Sequence, residues 1–233
     1  GANDKAVTVK IVLDEGVTTT YDIILPETAA LSTYGVSGET DAARTIGFRI
    51  KGNEGVATGL ENNTTWTIQV GLQENVALAN AYGYTVTVPG VGSATITNAS
   101  WTDVGEVTIN GQDVDISTGV TVTPVEKLTA KFVSWDAGSI VLEFNRPVDE
   151  TMATTLTGSY GLSGVSGTNV SVDLGEDGMT VTFTVKDESF APGDVIDIVA
   201  GMKDATFPGN TLGQRYAWTL EAGGGATMTA PTP

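Results

Sequence analysis

The chain has 233 residues and is 40 % hydrophobic, enough for one large β-domain or two smaller ones with a buried core. With no cysteine and no histidine it lacks a disulfide framework, a thiolate nucleophile and the usual general base of hydrolytic triads. Its 28 acids outweigh 11 scattered bases for a formal charge of −17, so nucleic acid and anionic membrane surfaces are not expected partners. No apolar run approaches the ~18 residues of a bilayer-spanning helix, so membrane insertion is not expected either.

Alternating segments begin at the N-terminus. KAVTVKIVL (5–13) sets Val7, Val9, Ile11 and Leu13 on one face, and TYDIIL (20–25) does the same with Tyr21, Ile23 and Leu25. A long irregular stretch, 26–44, precedes TIGFRI (45–50) and TWTIQVGL (65–72). NVALANAY (75–82) reads as a turn or two of helix with Asn75 as its cap. YTVTV (84–88), ATIT (94–97), EVTI (106–109) and VDI (114–116) continue the strands. Asn110-Gly111 between the last two predicts a hairpin.

A domain boundary is expected near Pro124, giving domains over 1–123 and 124–222. A glycine–threonine–proline tail over 223–233 follows. The second half supplies SIVLEF (139–144), NVSVDL (169–174), MTVTFTV (179–185), DVIDIVA (194–200) and RYAWTLEA (215–222). ETMATTL (150–156) is a short helix with Asp149 as its cap. The expected fold class is all-β: two β-sandwiches of antiparallel strands with almost no helix.

Five elements of the second half have a recognisable order and spacing. They are Phe144-Asn145-Arg146-Pro147-Val148-Asp149, then Asp177-Gly178-Met179-Thr180-Val181-Thr182-Phe183-Thr184, then Phe190-Ala191-Pro192-Gly193-Asp194. The loop from Gly201 to Asn210 and the aromatic strand Tyr216-Ala217-Trp218-Thr219-Leu220 complete the set. Over residues 125–222 the chain resembles the bacterial Ig-like domain of S-layer and other surface proteins. That resemblance implies an Ig-like sandwich and a surface module, and it carries no catalytic residues. On the residues alone, Phe144 should anchor a core strand, Pro147 should block further pairing, and Asp149 should cap the next turn. Arg146 is expected at the sandwich edge near an acid.

Three acidic loops are the candidate metal site, with calcium as the expected cation: Asp173, Glu176 and Asp177; Asp187 and Asp194; and Asp204. DLGEDG (173–178) fails as an EF-hand loop at Gly175 and Thr184, and turn acids also serve simply as turn formers. Among the four tryptophans, Trp66 and Trp218 fall in phase with core positions. Trp101 and Trp135 sit at strand–loop transitions and are candidates for stacking on a sugar. Sequons begin at Asn62, Asn63, Asn98 and Asn169, which a threonine-rich chain also produces by chance. Gly1 stands where an initiator methionine would, as in a mature form whose signal peptide is gone or in a trimmed chain.

These features lead to one expectation, an extracellular, non-catalytic structural subunit at the cell surface, self-assembling into an S-layer or filament with copies of itself. The alternative is an adhesion or carbohydrate-binding module that recognises cell-surface polysaccharide. One terminal segment is expected to pass between subunits, with the N-terminal strand the better donor and the tail lying along a neighbour.

Overall fold

The computed structural model describes residues 19–74 and 77–229. The N-terminal alternation (5–13) and the expected cap Asn75 lie outside the described residues. Two compact units divide the chain. One runs to Ala79 and resumes over Gly83–Pro124; the other holds Asn80–Tyr82 and the chain from Val125 onward.

The first unit contains β1 (Thr20–Tyr21), β2 (Ile23–Ile24), β3 (Ala29–Ala30), β4 (Thr45–Ile50), β5 (Leu60–Glu61) and β6 (Thr65–Leu72). It continues with β7 (Gly83–Val88), β8 (Gly92–Ile96), β9 (Thr102–Thr108), β10 (Val114–Asp115) and β11 (Thr121–Val125). A seven-stranded sheet runs in the order β11-β7-β8-β9-β6-β4-β3. Its apolar face follows the period-2 pattern of the strands. Ile50 pairs with Ile68, and Phe48 with Val70, so Ile46, Ile50, Ile68 and Val70 are fully buried. Residues between them, Arg49 and Gln69, point to the other face.

Three expectations change here. TYDIIL is two strands, because Asp22 interrupts it. Its amide donates to Asp113 Oδ1 and its carboxylate accepts from Gly59 N, so β1 pairs with β5 while β2 pairs with β10. Asn110-Gly111 makes a turn, with Gly111 at φ +73°, but not a hairpin. β10 leaves it to run parallel to β2, with Val114 opposite Ile23, rather than antiparallel to β9. Residues 77–82 form no helix. The irregular stretch instead holds one, α1 (Glu39–Ala42), whose Asp41 is buried.

The second unit contains β12 (Ala130–Trp135), β13 (Ser139–Phe144), α2 (Glu150–Thr154), β14 (Tyr160–Leu162), β15 (Val170–Leu174) and β16 (Thr180–Val185). β17 (Val195–Ile198), β18 (Tyr216–Leu220) and β19 (Ala226–Thr229) follow. Asp149 caps α2 as expected, its carboxylate accepting from Met152 N at 2.9 Å. One sheet has the order β12-β13-β16-β15 and the other β14-β17-β18-β19. Lettered from A in chain order, these are ABED and CFG, the order of the constant-type immunoglobulin sandwich, with β19 added beside G.

Ile140, Leu142, Phe144, Val181 and Phe183 from the first of these sheets meet Tyr160, Ile196, Ile198, Trp218 and Leu220 from the second. Tyr160 and Phe183 cross the interior edge to face, centroids 4.8 Å apart. The chain is all-β, and its helices are one-turn elements. The start of the tail forms a strand, Ala226–Thr229, which pairs with β18 of its own chain, Leu220 opposite Ala226 and Ala217 opposite Thr229.

Candidate functional site

A buried polar cluster of the second unit forms where β13 leaves its sheet. Phe144 is the last buried residue of the strand, and its amide still donates to Met179 O. Past Pro147 the pairing changes partner rather than ending. Val148 N donates to Gly178 O and Asp149 N to Lys203 O, while Pro147 O accepts from Ala205 N. The exit strand is thereby clamped to the glycine-rich loop.

Asp204 sits at the centre of that clamp, 1 % exposed. Its Oδ1 accepts from the amides of Thr206 (2.8 Å) and Phe207 (3.0 Å), and its Oδ2 from Arg146 Nε and Asn210 Nδ2. Asn210 is also buried and extends the cluster, its Oδ1 accepting from Leu128 N and its Nδ2 donating to Glu126 O. The Arg146 guanidinium lies over the Phe207 ring at 5.3 Å. Burial works against the charged form of Asp204, but the Arg146 hydrogen bond and the two loop amides outweigh it and hold the carboxyl below its usual range. Arg146 therefore meets the acid expected for it. Its charge fills the role proposed for a cation at Asp204.

The other candidate ligands are separated. Asp177 closes its own turn, accepting from Met179 N, Thr180 N and Thr180 Oγ1. Those bonds, the Thr180 amide foremost, lower its pKa. Asp194 accepts from Ala191 N within the Pro192-Gly193 turn. Asp173 and Glu176 are exposed, and Asp187 occupies a left-handed position at φ +63°. Among the described residues no group of three or more acidic, histidine or cysteine side chains is placed to hold one metal ion. Three of the sequon asparagines make side-chain hydrogen bonds within the chain. Asn62 accepts from Gly111 N, Asn98 from Ser100 N, and Asn169 donates to Glu188.

Both candidate stacking tryptophans are half-buried and partnered within the chain. The Trp101 ring is packed against Gly71, where an added Cβ would stand 3.1 Å from the indole, and Arg49 lies over it at 4.4 Å. Arg49 in turn donates to Gln69, and Gln69 to Asp103, which also pairs with Lys51. The Trp135 indole N–H donates to Glu221 O and Gly225 O, tying β12 to the β18–β19 hairpin. Trp218 is core, and Trp66 is half-buried with its N–H on Thr64.

A second buried acid has no counterpart in the sequence reading. Asp41 accepts from Tyr84 Oη at 2.8 Å and from Ala79 N at 2.7 Å. Burial, reinforced by Asp41, raises the Tyr84 hydroxyl well above its ordinary value. Only the position of an acid inside an otherwise weakly patterned segment could have signalled it.

No family model, no curated protein and no solved structure matches the chain. Among the described residues no helix is long and apolar enough to cross a membrane.

Proposed function

We propose that the chain is an extracellular, non-catalytic structural subunit that assembles with copies of itself into a surface layer or filament through β-strand contacts. The observation that carries this reading is the Arg146–Asp204 cluster. The most deeply placed acid of the resembling motifs is saturated by a guanidinium, two amides and an asparagine, and so it fixes a joint of the sandwich. A catalytic carboxylate would instead face a cleft where substrate can reach it. The immunoglobulin-type strand order lends support, since the quoted motifs occupy the exits and turns of that sandwich. So does the threonine- and glycine-rich composition without cysteine or histidine.

The adhesion or sugar-binding alternative is less favoured, because Arg49 covers Trp101 and the indole N–H of Trp135 is committed to two carbonyls. Calcium does not enter the proposal, since the described residues bring no set of ligands together for it.

Negative-stain imaging of the full chain at high concentration tests the reading. Ordered sheets or filaments are expected. Single particles at every concentration would contradict it, as would hydrolysis of a polysaccharide, peptide or ester that vanishes when one acid is changed to its amide.

A further inference from the structure

The second unit has four strands at sheet edges, β12, β15, β14 and β19. Natural sandwiches protect such edges with charge, bulges, proline or brevity, because a bare row of peptide groups accepts a foreign strand. β12 is bulged between Phe132 and Ser134 and carries Lys131. β15 carries the exposed Asp173. β14 is three residues long with Gly161 at its centre.

β19, four residues long with the sequence ATMT, has no charge, bulge or proline. Thr227, Met228 and Thr229 are exposed, Met228 by 43 %. The strand is also held in place. Glu221 N donates to Gly225 O across the hairpin, and the Trp135 indole N–H reaches both of those residues' carbonyls. An edge already ordered loses little conformational entropy when a partner strand arrives.

We infer that the outer edge of β19 is the surface at which two copies of this chain join, strand against identical strand, antiparallel about a two-fold axis. The partner follows from charge and symmetry. Two chains of −17 repel over most of their surfaces, so a neutral strand is where they approach at least cost. Antiparallel pairing of one strand with its own copy is self-complementary, so a single patch serves both subunits. Each would add its free peptide groups to the other's ladder, making one continuous sheet of eight strands from the two four-stranded ones. This inference rests on the self-assembly reading and names its interface.

The test is light scattering with sedimentation of the full chain across a wide concentration range, comparing wild type, Met228→Lys and Val133→Lys. Val133 is 47 % exposed on the bulged β12 edge, so its variant carries the same charge change at a protected edge. Wild type and Val133→Lys should associate alike, and Met228→Lys should require about tenfold higher concentration. General charge effects would act oppositely, since each added lysine lowers the net negative charge. If Met228→Lys does not give the far-UV spectrum and melting of wild type, Thr229→Lys takes its place. Should wild type and the β19 variant associate equally, or both lysines weaken association equally, the edge is wrong while self-assembly stands. A wild type monomeric throughout overturns both.

Discussion

Arg146 Nε donates to Asp204 Oδ2 across 58 residues of sequence, joining the end of β13 to the loop that leads towards β18. Four donors converge on this one carboxylate, and Asn210 carries the connection on to Leu128 and Glu126 at the entrance to β12. The buried charge thus ties the loop to the exit of β13, and Asn210 ties the same loop to the entrance of β12, beside the Ala130–Phe144 end of the β12–β13 ladder.

Removing the cation should therefore cost more than removing both charges. Arg146→Ala leaves Asp204 buried and uncompensated, a loss of about 3 kcal/mol. The double variant Arg146→Ala/Asp204→Asn keeps a neutral amide among the loop donors and should recover part of that loss. Urea denaturation of the three proteins checks this. A single variant no less stable than the double would show that the pair does not hold the joint.

Stability should also fall in acid. Asp204 and Asp177 have folded-state pKa values lowered from the ordinary carboxylate range, so they bind protons more readily when unfolded. Their contribution is complete above the unfolded value near ~3.9 and is lost as pH drops through the lower folded values. Melting temperature should be level from neutral pH towards ~5 and then decline below ~4, less steeply in Arg146→Ala/Asp204→Asn. Melting that is independent of pH down to the acid limit would contradict this assignment.

Much of this architecture is legible in the residues, for reasons that differ by element. TIGFRI, TWTIQVGL and SIVLEF match β4, β6 and β13 because each presents one apolar face to a core, and period 2 records that directly. Asn110-Gly111 announces a turn, but the partner of β10 is β2, some ninety residues earlier, and no local pattern encodes a distant parallel pairing. β19 was invisible for a related reason. It is held through backbone pairing and the Trp135 anchor, so Ala226–Thr229 needs no apolar stripe. Arg146 could be assigned an acidic neighbour because a base beside proline at a strand exit has few other uses. Which acid it meets depended on the fold of the loop from Gly201 to Asn210. Asp41 was missed because a buried acid and a solvated one have the same sequence.

Gly71 should tolerate no bulk. It faces the Trp101 indole at a distance where a Cβ must push the ring by a few tenths of an ångström, and Arg49 covers the ring. Gly71→Val should destabilise the first unit by about 1–3 kcal/mol through overpacking, read by denaturant unfolding. A fully neutral effect would mean that Trp101 moves freely and remains available for stacking on a ligand.

Hydrogen exchange at the β19 amides tests the central claim most directly, that copies of this chain join through an open strand edge. The full chain is compared when dilute and when concentrated. The outward-facing amides of β19, those of Ala226 and Met228, should exchange more slowly as concentration rises, while those of the bulged β12 edge keep their rate. Assembly without added protection in β19, or exchange rates identical at every concentration, would contradict the account.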